Sequence, residues 1–418
     1  MTNITLMPSS LRGTVTAPPS KSDVHRAIIC AALAKGESVV SPVAYSQDIL
    51  ATLDCIRALG AKVTTDGERV IIDGSSTFSV DSAALDCRES GSTVRFFIPV
   101  AAAGGVNAVF SGKGRLPQRP LGVYTELLPG HGVECKTPGG LPFEISGRLA
   151  PGVFKVPGDI SSQFITGLLF ALPLLSGDSV IKLTSKLQSK GYIDMTIDVM
   201  RRFGVTVTQM DGDYFIKGGQ SYIPTDYTTE GDWSQAAFFL VGAALGGDVT
   251  VESLRLDSRQ GDKEIADLLR RFGADVEDTD SGVRCKSKSL SGIDIDASQI
   301  PDLVPVLSVC AAFAKGTTRI YNAARVRLKE SDRLAAMKNA LSGCGADIEE
   351  TDDGLIINGK DTICGGFADG CNDHRIVMSM AIAALRCTDS VTVSDKESIT
   401  KSYDDFFEDY RALGGTTS

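Results

Sequence analysis

Apolar helical stretches that end on a glycine and run straight into a strand recur six times along this chain. The endings are RALGAKV at Gly60, LPGHGVEC at Gly132, RRFGVTV at Gly204, RRFGADV at Gly273, SGCGADI at Gly345 and RALGG at Gly414. Successive glycines lie 72, 72, 69, 72 and 69 residues apart. Glycine at a helix end takes the left-handed conformation that closes the helix, and the V-x-V or A-D-V pattern after it is a strand signal. A second series of apolar helices runs out of phase with the first: AALAKGESVV, AAAGGVNAVF, PLLSGDSVIKL, GAALGGDVTV, AAFAKGTTRI and, without the glycine, IAALRCTDSVTV. Together they predict six units, each reading strand, helix, strand, helix, then strands. The period is longer than the roughly 20 to 50 residues of common solenoids.

A chain of 418 residues exceeds what one core usually organises, so three units per domain is the natural division. Halving the set places a boundary near TDYTTEGD, residues 225–232. The opening strand, ITLMPSSLRGTVTAPPS, precedes the first polar-loaded helix and is assigned to the last three units. The expected domains are 20–226, and 1–19 with 227–418, with chain crossings near Ser20 and Asp226. Composition changes this picture little. With 43% hydrophobic and 22% charged residues the chain reads as an ordinary globular protein. Lys and Arg number 42 against 52 Asp and Glu, a net charge of −10, which disfavours nucleic acid and acidic membrane as partners. Ten cysteines without CxxC or metal-ligand spacing read as reduced, buried thiols. The start MTNITLMPSS lacks the features of a signal peptide. The longest apolar stretch, Phe164 to Leu175, is far short of the ~20 residues that span a bilayer. A cytoplasmic monomer is expected, with no metal.

The chemistry gathers at the starts of the helices. The first series carries Lys21, Ser22 and Arg26; Gly91 to Arg95; Ser161, Ser162 and Gln163; Asp232; Asp302; and Asp373, His374 and Arg375. The second carries Asp48, Arg119, Ser189 with Tyr192, Lys263, Lys329 with Glu330 and Arg333, and Lys401. Ser and Asp at such places serve as N-caps. Cations do not, because a positive charge in the first turn opposes the helix dipole by about 0.3–1 kcal/mol. Lys21, Arg119, Lys329, Arg375 and Lys401 are each expected in such a turn, and an anion explains all five together. In RVRLKESDRL, residues 325–334, Lys329, Glu330, Asp332 and Arg333 are expected within one helical turn. That turn is either a solvated, internally paired face or two cations for an anion beside a carboxylate that moves a proton. His131, in a PGHG turn, reads as ordinary surface, and His374 as a site residue. No Ser-His-Asp arrangement, P-loop or Rossmann fingerprint is present.

The strings PPSKSDVHRA, ESGSTVR, QRPLG, GDISSQF, SKGYID, IPDL, RLKESDRL and NDHR, with the late Lys401, occur in order over essentially the whole chain. In this the chain resembles the 5-enolpyruvylshikimate-3-phosphate synthase family. The resemblance implies the two-domain inside-out α/β barrel of enolpyruvyl transferases, with six βαβαββ units, three per domain, helices buried and sheets outside. It implies transfer of the enolpyruvyl group of phosphoenolpyruvate to the 5-hydroxyl of shikimate 3-phosphate, with release of phosphate and without metal or organic cofactor. Carried over residue by residue, it places Lys21, Ser22, Arg26, Ser161, Ser162, Gln163, Ser189, Tyr192, Asp302, Arg325 and Lys329 around shikimate 3-phosphate. Lys21, Gly91, Arg119, Gln163, Arg333, His374, Arg375 and Lys401 fall around phosphoenolpyruvate. Asp302 would accept the hydroxyl proton, Glu330 would exchange a proton with the methylene carbon, and Lys21 would serve both substrates.

Three positions depart from the family pattern: Glu89 where Asn is common, Phe96 where some members have Pro, and Arg325 where others have Asn. Gly91 matches the small residue that leaves room beside phosphoenolpyruvate for glyphosate. Needing cations from both halves of the chain, the unliganded protein is expected open, with the helix starts facing one cleft that substrate closes. The sister family, the UDP-N-acetylglucosamine enolpyruvyl transferases, places a reactive Cys before an Arg-Pro, and the loop SGKGRLPQRP here has none. A non-catalytic repeat scaffold would not need Asp302 and Glu330 beside the cations.

Overall fold

All six closing glycines of the first series have left-handed backbone, from φ 82° at Gly132 and Gly204 to 105° at Gly60 and Gly273. They are seen in a computed structural model that describes residues 2–418. The second series is less uniform, and its Gly247 is extended, with φ −120°.

Among the described residues the strands form six four-stranded sheets that repeat one plan. In one, Ser82–Asp86 lies parallel to Asn107–Ser111, and Phe143–Gly147 and Val133–Lys136 continue antiparallel. In four sheets the parallel pair is joined directly by a buried helix, as Gly91–Gly104 joins this one. The other two have exchanged their first strands. Arg12–Thr16 leads into the helix Lys21–Leu33 but pairs with Asp248–Glu252. Asp226–Thr228 leads into the helix Trp233–Gly246 but pairs with Glu37–Ser41. The single opening strand expected from the sequence is thus two. Ile4–Met7 sits between Val391–Val393 and Thr416–Thr417 in another sheet. A bend at Pro8 and irregular backbone after it separate them, and strand pairing over hundreds of residues leaves no local signature.

The chain forms two compact units, one holding the chain up to Pro18 with Glu230–Ser418, the other Pro19–Thr229. Each has its own hydrophobic core and three of the sheets. In the first unit the helices Trp233–Gly246, Val304–Ala312 and His374–Ala384 pack on one another and are buried almost all round. Their sequences have no polar stripe, which is how a helix reads when nothing of it faces water. In the second unit Gly91–Gly104 packs on Ser162–Ala171. A Cβ on Gly167 would lie 2.3 Å from the Arg95 carbonyl oxygen, so glycine sets that close approach. Strands alternate in burial, as along Asn107–Ser111, with the inner face on the helices. Helices are therefore inside and sheets outside.

All ten cysteines are free thiols, with only Cys364 exposed. Among the described residues no helix is long and apolar enough to cross a membrane.

Candidate active site

Each unit gathers its own set of buried charges. In Pro19–Thr229 three helix starts have real caps: Ser20 caps the helix bearing Lys21, Ser90 the helix bearing Gly91, and Ser161 the helix bearing Gln163. Lys21 Nζ donates to Asp48 Oδ2 at 2.7 Å. Arg26 donates to Thr196 Oγ1 at 2.8 Å and to the carbonyls of Ser22 and Tyr192 at 2.6 and 3.0 Å. Its guanidinium also lies over the rings of Phe96 and Tyr192, at 5.5 and 5.8 Å. Burial lowers its pKa to about 10. Ser189 precedes the helix Lys190–Arg202 with left-handed backbone, φ 55°. Ser162 is buried at the first turn of its helix.

Arg95, noted at its helix start but assigned to neither substrate, joins two of these helices. It donates to Gln163 Oε1 at 2.8 Å and to the Pro120 carbonyl at 3.1 Å, and Gln163 Nε2 donates to Ser92 Oγ at 2.9 Å. The available signal was a lone arginine in an otherwise apolar helix, VRFFIPVAAA. Arg119 does not stand in a helical turn as expected. It follows a 3-10 turn, Leu116–Gln118, with extended backbone, and is buried. A Cβ on Gly91 would lie 2.5–2.7 Å from the atoms of the Arg119 guanidinium. Phe96 is buried edge-on to Phe170, at 5.7 Å, beneath Arg26. His131, expected on the surface, is half-buried and stacks on Phe154 at 3.8 Å.

In the other unit the charges centre on Arg333, 1% exposed. Its Nη1 donates to Asp302 Oδ1 at 2.7 Å, its Nη2 to Glu330 Oε2 at 2.8 Å, and its Nε to Asp373 Oδ2 at 2.9 Å. Three carboxylates raise its pKa against the effect of burial. Burial pushes the Asp373 carboxyl up, but Arg333 and then His374 outweigh it and hold the group below the usual carboxylate range. Asp302 also faces Lys329 at 3.4 Å and Arg375 at 3.5 Å, and its carbonyl accepts from Arg375 Nη1 at 3.0 Å. His374 is buried beside Asp373, 3.8 Å away. Arg325 donates to the Ser298 carbonyl at 2.6 Å. Lys401 Nζ donates to the Asn372 carbonyl at 2.6 Å.

Two expectations fail here. Lys329, Glu330 and Asp332 do not share a helical turn with Arg333. A 3-10 turn ends at Leu328, the helix begins at Arg333, and Asp332 caps it. Lys401 closes a 3-10 turn, Lys396–Lys401, rather than opening a helix. Of the five cations assigned to first turns, Lys21 and Arg375 are there. The other three, Arg119, Lys329 and Lys401, stand at the ends of 3-10 turns, where no helix dipole opposes them.

Asp262 is a further buried acid that the sequence did not single out. It sits in the 3-10 turn Gly261–Glu264, 3% exposed. Burial, and then Asp302, push its pKa up to about 7, with Arg375 and Ser234 opposing and Asp232 adding to the rise. A carboxyl whose pKa is raised by folding stabilises the fold fully below its unfolded pKa, near 4. That contribution is lost as pH rises through the folded value. Asp262→Asn is expected to flatten the decline in melting stability between about pH 4 and 7, a contribution on the order of 4 kcal/mol at ~1.4 kcal/mol per pH unit. An unchanged pH profile in thermal melts would count against this.

The fold is that of the enolpyruvyl (carboxyvinyl) transferases. The profile of the family described as EPSP synthase (3-phosphoshikimate 1-carboxyvinyltransferase) matches residues 6–410. Similar proteins named 3-phosphoshikimate 1-carboxyvinyltransferase include one from Clostridium novyi, 43% identical, covering 99% of this chain and 98% of that one. Another, from Clostridium acetobutylicum, is 46% identical with the same coverage. A solved structure of EPSP synthase from Acinetobacter baumannii superposes with a TM-score of 0.83 at 27% identity, covering both chains completely. The chain belongs to the EPSP synthase family.

Proposed function

We propose that the two clusters bind the substrates of carboxyvinyl transfer and that Asp302 and Glu330 of the second move the protons. The reaction moves the enolpyruvyl group of phosphoenolpyruvate to the 5-hydroxyl of shikimate 3-phosphate and releases phosphate. It requires a proton to be taken from the hydroxyl, and one to be added to the methylene carbon and later removed. Shikimate 3-phosphate is assigned to Lys21, Ser22, Arg26, Ser161, Ser162, Gln163, Ser189, Tyr192, Asp302, Arg325 and Lys329. Phosphoenolpyruvate is assigned to Lys21, Gly91, Arg119, Gln163, Arg333, His374, Arg375 and Lys401.

The observation that carries the reading is the threefold carboxylate grip on Arg333. Guanidinium groups suit phosphate and carboxylate because their N–H groups lie in a rigid fork. Here the fork is held by Asp302, Glu330 and Asp373. The two acids assigned to proton transfer are therefore both positioned by the residue assigned to phosphoenolpyruvate, the substrate on which Glu330 would act. Preorganised charge of this kind stabilises a transition state without rearrangement during the reaction. A coupled phosphate-release assay tests the reading. Release is expected only with shikimate 3-phosphate and phosphoenolpyruvate together. Release with UDP-N-acetylglucosamine in place of the first would overturn the substrate assignment.

Gly91→Ala is expected to raise KM for phosphoenolpyruvate, because its methyl displaces the Arg119 guanidinium. The Ki of glyphosate is expected to rise more, and steady-state inhibition measures both. Equal rises would show that Gly91 does not shape the inhibitor's space.

A further inference from the structure

Three non-glycine residues near Lys401 hold left-handed backbone: Cys371 at φ 52°, Asn372 at 48° and Asp395 at 58°. Asn tolerates this conformation better than most residues and Cys has no such advantage, so the surroundings must hold the segment. They do so from both sides. Cys371 N–H donates to Asp369 Oδ1 at 2.9 Å, and Gly370 N–H donates to Ser394 Oγ at 3.0 Å. Asn372 N–H donates to Asp395 Oδ2 at 2.9 Å.

Asp395 is buried, 6% exposed, and stands at the head of the turn Lys396–Lys401. Its carbonyl accepts from Ser398 N–H at 2.8 Å, as part of that turn. The turn ends on Lys401, whose ammonium returns to the Asn372 carbonyl at 2.6 Å. A closed ring results. It runs from the Asp395 carboxylate to the Asn372 N–H, across that residue to its carbonyl, on to Lys401, and back along the turn to Asp395. Asn372 is bonded to Asp373, which grips Arg333 and caps the N–H of Arg375 at 3.0 Å.

We propose that Asp395 is a positioning residue for phosphoenolpyruvate binding, fixing Lys401 and the Asp373–Arg375 segment in one frame. It does not touch substrate and acts through Asn372. The inference rests on the assignment of Lys401, Arg333 and Arg375 to phosphoenolpyruvate.

Asp395→Gly tests it, because glycine keeps the left-handed turn and removes only the carboxylate. KM for phosphoenolpyruvate is expected to rise about tenfold to hundredfold, as for misplaced binding groups, while KM for shikimate 3-phosphate changes by less than about twofold. Asp395→Asn retains an acceptor for the Asn372 N–H and is expected to restore most of the loss. A glycine variant with unchanged KM for phosphoenolpyruvate, or with both KM values raised in proportion, would overturn the proposal. Should the glycine variant not fold, Asp395→Glu serves, since its carboxylate is displaced by one methylene. A wild-type KM for phosphoenolpyruvate in that variant would equally overturn it. Lys401→Ala separates the two levels. If it leaves KM for phosphoenolpyruvate unchanged, the assignment of Lys401 falls, and this inference with it. If it raises KM while Asp395→Gly does not, the inference alone falls.

Discussion

Glu330→Gln is expected to lower kcat by about 10²–10⁴-fold, the usual worth of a positioned general acid–base group. KM for shikimate 3-phosphate should stay nearly unchanged. Glu330 Oε2 accepts from Arg333 Nη2 at 2.8 Å, and the side chain keeps 18% exposure, so it is held at one end and open at the other. The amide of Gln preserves an acceptor for Arg333, and what is lost is an oxygen that can take up and release a proton. Asp302→Asn is expected to act differently, lowering kcat and raising KM for shikimate 3-phosphate together. Asp302 faces Arg333, Lys329 and Arg375 within 3.5 Å, and its charge is part of their balance as well as the proposed acceptor for the hydroxyl proton. Steady-state kinetics on the two variants distinguishes the roles. Near-normal turnover in Glu330→Gln would make Glu330 a structural partner of Arg333, and the proton shuttle would have to be reassigned.

The largest effect on the fold is expected from Arg333→Met. A buried ion pair contributes little net stability compared with a well-packed apolar group, yet deleting one partner leaves the other charge buried and uncompensated, at about 3–5 kcal/mol. Arg333 has three such partners, and Asp373 is fully buried. A loss at the upper end of that range is therefore expected in denaturant unfolding, together with loss of activity. Arg333→Lys should recover only part of either, because an ammonium cannot reproduce a planar fork that meets three carboxylates in fixed directions. A loss below about 1 kcal/mol in Arg333→Met would show that the carboxylates find other partners, consistent with a loosely held cluster rather than a preorganised one.

Much of this was legible along the chain because the responsible physics is local. Gly60, Gly132, Gly204, Gly273, Gly345 and Gly414 mark helix ends because only glycine adopts φ near +90° without strain. The helix Trp233–Gly246 announces its burial through an apolar run that leaves no polar face. Ser161, Asp232 and Asp373 cap helices where their short polar side chains precede such runs. The order of the motifs was sufficient to place the chain in its family. What the sequence left open depends on contacts between residues far apart. Nothing local in Arg12–Thr16 tells it to pair with Asp248–Glu252, or Asp226–Thr228 to pair with Glu37–Ser41, since a strand's pattern states which face is buried and not which neighbour covers it. Arg333 reads from its neighbours as one more charge on a polar helix. Burying it costs free energy that only Asp302, 31 residues away, Asp373, 40 residues away, and nearby Glu330 offset, and only the fold brings those carboxylates to its three edges.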